Sequence, residues 1–232
     1  MNSPTLRRIF LLVTLLVLST AIVAGIYSPG RQSKPKSLTD AVEIVEKIAG
    51  DGATKIAFRN VSNKNINALQ VAVSGSVFTV EFLDADEPKQ KLPPGEIYQE
   101  WFPTSTSGVD VSVLAVVFDD KTGAGDSRLV QEVLETRRGV KKQLMRFGVL
   151  LRQSLSSPNI DATTLDKLTA QIDESVEDAP FDSGAVRLGQ RKAKQQIRHD
   201  VEALKRQPSN GNIRVGLTLI EERHAKRLTQ LQ

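Results

Sequence analysis

The sequence predicts an all-β sandwich followed by a separate all-α C-terminal region, both preceded by an N-terminal transmembrane helix or signal peptide. Three observations predict it. An uncharged apolar run fills residues 9–27, period-two alternation recurs between turn residues from about 53 to 118, and a period near 3.6 takes over from Arg128. With 232 residues, 40% of them hydrophobic and 25% charged, the chain has globular composition and room for one or two domains.

Residues 1–8 read as a short cytoplasmic tail, and the run that follows, through Ile9, Leu12, Leu16, Val23 and Tyr27, reads as the membrane segment. At about 1.5 Å per residue it spans roughly 28 Å, close to the hydrocarbon thickness of a bilayer. Arg7 and Arg8 precede it, as in a secretory signal, but the apolar core of such a signal usually runs about 7 to 15 residues. Length therefore favours an uncleaved single-pass anchor; cleavage after Ala24, giving a periplasmic or secreted protein, is the alternative. Arg31, Lys34 and Lys36 oppose Arg7, Arg8 and the α-amine in the positive-inside count, yet the short tail is expected to stay in the cytoplasm with the bulk outside. Residues 28–37, with Pro29, Gly30 and Pro35, have the composition of a linker.

Residues 38–126 read as a short helix and a sandwich. Leu38 to Ile48 is expected to form an amphipathic helix with Val42, Ile44, Val45 and Ile48 apolar. Strands are expected at Lys55 to Val61, Ile66 to Val73, Val77 to Leu83, Ile97 to Phe102 and Val109 to Phe118, separated by turns such as Ser62 to Asn65 and Pro93-Pro94-Gly95. Short strands at this spacing indicate a β-sandwich.

The segments Phe58 to Ile66, Leu92-Pro93-Pro94-Gly95-Glu96 and Val113 to Phe118 resemble the immunoglobulin-like or fibronectin type III-like domains of bacterial envelope proteins. In those domains a strand ending in Asn-x-Ser meets a polar hairpin, and a Pro-Gly-Glu turn enters the next strand. The chain is also similar to proteins of unknown function in which an acidic Gly-rich loop leads from the last strand into a long helix, as Asp119 to Asp126 does here. The resemblance covers about residues 53–120 and implies a binding or spacing module outside the cell, with no inherited active site. It leaves space for five or six strands, fewer than a full seven.

From Arg128 an apolar stripe runs through Leu129, Val133, Thr136, Val140, Leu144, Phe147, Leu151 and Leu155, with Gly139 marking a bend or a close contact. Helices are expected near 128–155, 162–176, 185–207 and 213–231 within the region 127–232. Block charges of +5 (1–37), −7 (38–126), +5 (127–155), −6 (156–182) and +7 (183–232) alternate along the chain. An acidic second helix is thus expected beside basic first and third ones, and the lack of one contiguous basic face argues against nucleic acid. The third helix has a weak stripe, marginal alone in water, so the last two helices are candidate binding elements for a protein partner.

No cysteine is present, which excludes disulfides, thiolate metal sites and cysteine nucleophiles, and only His199 and His224 offer imidazoles. No catalytic, cofactor-binding or metal residue is assigned, and no small-molecule substrate is expected. The weak candidates are Asp119, Asp120 and Asp126, whose spacing fails the calcium-loop pattern because Lys121 and Gly123 take ligand positions; turn formation and helix capping are the preferred roles. Asp84, Asp86 and Glu87 read as a hairpin tip, Trp101 as a core residue against the helical region, and Asn60-Val61-Ser62 as a glycosylation match of little weight. The sequence thus points to a non-enzymatic extracytoplasmic interaction or spacer module. The alternatives are a carboxylate-dependent envelope hydrolase, and binding of anionic lipid or polymer by the basic helices.

Overall fold

In a computed structural model, residues 37–82, 91–104, 109–175, 182–206 and 212–231 are described. The membrane segment, the linker up to Lys36 and the acidic cluster Asp84, Asp86 and Glu87 lie outside them. Two antiparallel sheets and four helices make up the architecture of the described residues. The strands are β1 (Val42–Ala49), β2 (Ala53–Asn60), β3 (Ile66–Val73), β4 (Ser76–Glu81), β5 (Ile97–Pro103), β6 (Val111–Phe118) and β7 (Gly123–Gly125). The first sheet has the order β1-β2-β5 and the second β4-β3-β6-β7.

The alternating strands pack their apolar faces together. Ile56 and Phe58 of β2 meet Leu69 and Val71 of β3, Val113 and Val116 of β6 and Phe102 of β5, all within 2% of full burial. Ser74 and Gly75 both have positive φ, 49° and 85°, so a two-residue type I′ turn joins β3 to β4.

Two segments differ from the sequence reading. Residues 42–49 form a strand instead of the expected amphipathic helix. They are rich in β-branched residues, and a bulge between Ile44 and Glu46 interrupts the alternation, so period two is lost to the eye although the ladder with β2 continues. The acidic loop contributes β7, three residues paired with Ala115 to Val117 of β6. These two additions raise the strand count from the expected five or six to seven.

The helices are α1 (Ser127–Leu155), α2 (Ala162–Glu174), α3 (Gly184–Arg206) and α4 (Ile213–Gln230), close to the expected bounds. Asp126 caps α1 by accepting from the amides of Arg128 and Leu129. Asp161 and Thr164 form a capping box on α2. The C-terminal carbonyls of α1 are satisfied from afar: the Arg214 guanidinium donates to the Leu155 carbonyl at 2.6 Å and also to Ser157 and Pro158.

Helix α1 serves two layers. Its first half lies on the outer face of the four-stranded sheet, where Val133 packs on Ala68 and Val117. There Arg137 donates to the side-chain and main-chain oxygens of Asn67 at 2.9 and 3.0 Å and pairs with Glu81 at 2.7 Å. The second half enters the helical core, with Phe147 and Leu151 against Leu165, Ile172, Ile197, Val201 and Leu217. Lys36–Gln232 accordingly forms one compact unit rather than two independent bodies.

The charge alternation is used between the second and third helices. Arg198 of α3 pairs with Asp173 of α2 at 3.2 Å, and Lys205 with Asp166 at 2.7 Å. Helix α3 buries Val186, Ala193, Ile197 and Val201 in the bundle. Among the described residues, no helix is long and apolar enough to cross a membrane.

Candidate functional site

The acidic loop is built as structure. Lys121 takes a positive φ of 66° at the turn, and Asp119 accepts from the Asn65 amide at 2.7 Å. Asp120 accepts from Lys64 Nζ at 2.7 Å and from the amide and hydroxyl of Thr122, while Lys64 also sits 5.4 Å from the centre of the Phe118 ring. The hydrogen bond from Lys64, followed by those from Thr122, holds the Asp120 carboxyl at about 2, below the ordinary 3.8. Asp126 is spent on the α1 cap. Each of the three candidate carboxylates therefore has a local donor, as the capping and turn reading expects.

A depressed carboxylate stabilises the fold above the unfolded value near 4, and that contribution is lost as pH falls through the folded value. Lys64→Met is therefore expected to raise the Asp120 midpoint toward 3.8. The measurement is a carboxyl-carbon NMR titration between about pH 1.5 and 6, chosen to bracket both carboxylate values.

The Asn-Val-Ser triplet is also structural. Asn60 is fully buried, and its amide donates to the carbonyls of Lys64 and Leu92, both at 2.8 Å. Its oxygen accepts from the amide and hydroxyl of Ser62. Asn60→Ala, which takes one of two donors from each carbonyl and leaves Ile66 and Ser62 as the others, is expected to cost about 1 to 3 kcal/mol in chemical denaturation.

His224 of α4 is buried, as its place on the apolar stripe suggests, with Nε2 3.3 Å from Asp200 of α3. Burial pushes the Asp200 carboxyl up, but His224, Arg223 and Gln196 together bring it below its ordinary value. The pair links two helices inside the bundle, whereas the His199 side chain is 78% exposed. No group of three or more His, Asp or Glu able to hold a metal occurs among the described residues.

A concavity lies on the open side of the sandwich, between β4 and β5, edge strands of the two sheets. It measures about 300 Å³. Inward alternation along β4 and the residue that follows it delivers Phe78 and Phe82, and along β5 Tyr98, Glu100 and Phe102. The rings interlock edge to face, Phe78 with Phe102 at 5.3 Å and Phe82 with Tyr98 at 4.7 Å. Glu100 takes hydrogen bonds from the Tyr98 hydroxyl and from the Trp101 amide, the latter at 2.9 Å. Trp101 stands at the rim, 55% exposed, on the outer face of the three-stranded sheet beside Gly50.

The expectation that Trp101 packs in a core against the helical region is thereby corrected. Its odd position in β5 puts it on the face opposite to Tyr98 and Phe102, and no described element covers that face. The groove itself was missed at the sequence level. Its available signal was Glu100, a carboxylate at the inward parity between Tyr98 and Phe102, where an apolar residue belongs. Comparison of the chain with family models, with curated proteins and with solved structures found no match.

Proposed function

We propose that this chain is a non-catalytic, extracytoplasmic interaction module, tethered or exported by residues 9–27, that engages a partner through the groove between β4 and β5. We further propose that its sandwich is of the immunoglobulin-like kind. Support for the second point is the strand order, β1-β2-β5 against β4-β3-β6-β7, in which the chain crosses between sheets after β2, β4 and β5.

The observation that carries the binding reading is the groove: an aromatic floor, an exposed Trp at its rim, and edge strands on both sides. Exposed aromatic anchors beside unpaired strand edges are what protein recognition commonly uses. Envelope hydrolysis by the acidic loop is the weaker reading, since Asp119, Asp120 and Asp126 are held by Asn65, Lys64, Thr122 and the α1 amides.

Cross-linking of the full-length protein in its native membranes tests this function. Trp101→Ala, which removes an exposed side chain and leaves the core intact, is expected to abolish the adduct. An adduct undiminished by Trp101→Ala overturns the reading. Retention of the uncleaved chain in the membrane after an alkaline wash is the expected outcome for the anchor; a shortened soluble form supports export instead.

A further inference from the structure

We infer that the occupant of the groove is an extended peptide that adds a strand along the free edge of β5 and sets a Lys or Arg side chain against Glu100. The inference rests on the groove being the binding site and names the chemistry that it selects.

Main-chain parity shows which groups are on offer. The Thr104 amide donates to the Gly52 carbonyl, and the Asn60 amide to the Glu96 carbonyl, so the even-numbered positions of β5 are those bonded to β2. The main-chain groups of Ile97, Gln99 and Trp101 therefore point to the other side, where no described strand lies. This edge is guarded at one end. Pro103 has no amide hydrogen, and the Trp101 amide is occupied by its own neighbour, the Glu100 carboxylate.

Glu100 is also the odd member of the floor. Its donors are the Tyr98 hydroxyl and the Trp101 amide, both neutral, and it has no cationic partner among the described residues. The other groove carboxylate, Glu81, is already paired with Arg137. An incoming strand takes over the Trp101 amide with a main-chain carbonyl and so releases Glu100 from it. A strand bearing an apolar or acidic residue opposite Glu100 leaves that carboxylate covered and short of donors. A guanidinium or ammonium there replaces the lost bond with a charge-assisted one, between aromatic faces that favour a cation.

The register follows from the same parity. A strand bonded to Gln99 and Trp101 meets Glu100 and Phe102 at non-bonded positions, where side chains lie closest. Its cation and an apolar side chain are then two residues apart, the apolar one over Phe78 and Phe102. Glu100 thus acts both as guard of the edge and as selector of what passes it.

Trp101, the single tryptophan of the chain, gives the edge its own fluorescent reporter. The probes are two capped, Thr-rich peptides of about eight residues, a common strand length, with Phe and Arg two residues apart in one and Phe and Glu in its twin. Titrated into the full-length protein in detergent micelles, the Arg peptide is expected to change Trp101 emission with an affinity at least about tenfold above its twin. Glu100→Gln removes that preference, and Glu100→Lys reverses it, with far-UV circular dichroism unchanged in both.

Equal affinity for the two peptides, or a preference untouched at Glu100, overturns the inference, as does the absence of any peptide response. An emission change that depends on protein concentration without peptide assigns the edge to a second copy of the chain and also overturns it. Where the peptides fail but the native adduct still requires Trp101, only the ligand class falls. Where the adduct is indifferent to Trp101, the groove itself does.

Discussion

Gly189→Ala is expected to destabilise the helical layer by about 3 kcal/mol or more, the upper range for forced overpacking. The physical reason is where α1 crosses α3. A Cβ on Gly189 falls on the carbonyl oxygen of Thr136, and a Cβ on Gly139 falls on that of Val186, in both cases well inside van der Waals contact. Each obstacle is backbone within a helix, so neither yields by a rotamer change, and the helices must separate. Separation then uncovers Val140, Val186 and Ala193, which are within 5% of full burial. Gly139→Ala is expected to match Gly189→Ala, with the double variant costing less than twice as much, because the first substitution already opens the crossing. Thermal unfolding followed by circular dichroism checks this; an unchanged midpoint in both variants removes the close crossing from the account.

Arg137→Ala is expected to cost about 2 to 4 kcal/mol and to loosen the helices from the sandwich. Arg137 is the polar clamp between them. Its side chain is 11% exposed, and its removal leaves the Asn67 side-chain oxygen without its donor, leaves the Asn67 carbonyl with the Phe82 amide alone, and frees Glu81. The apolar part of that contact is Val133 on Ala68 and Val117, with Val130 and Leu134 beside it. Trp101 emission reports the sandwich and far-UV ellipticity reports mainly the helices, so the two can be followed separately. Coincident transitions in the wild type that split in Arg137→Ala are the expected result. Transitions already separate in the wild type contradict the single unit.

The strands and helices were legible in the sequence because period two and period 3.6 are imposed by a one-sided core. Leu129, Val133, Val140, Leu144, Phe147 and Leu151 are all buried as their spacing requires. Legibility failed at β1, where a bulge shifts the parity, and at β7, where three residues, two of them glycine, carry no apolar pattern. Gly125 reveals its constraint only in space, with φ of +92° and no room for a Cβ, which would fall on the Leu114 carbonyl oxygen. The partnership of His224 with Asp200 was likewise hidden, since it depends on how α3 and α4 face each other.

The groove was the least legible feature, for a related reason. Phe78 and Phe82 come from one sheet and Tyr98, Glu100 and Phe102 from the other, and sequence periodicity carries no record of which sheet edges come together. Glu100 on an apolar parity was the single local trace. Trp101 was misplaced because a lone Trp in a strand is usually covered, and its exposure follows from the face that no described element covers.

Two surfaces compete as the binding face: the groove, and the exposed apolar pair Val215 and Leu219 on α4, 54% and 57% exposed. Photo-crosslinking decides between them most directly. A photoreactive amino acid is placed at Pro103, on the groove rim, in one full-length protein and at Leu219 in another, and both are irradiated in native membranes. The account predicts an adduct from position 103 that disappears with Trp101→Ala, and none from position 219. An adduct from position 219 with none from 103 would assign recognition to the helical face and contradict the central claim.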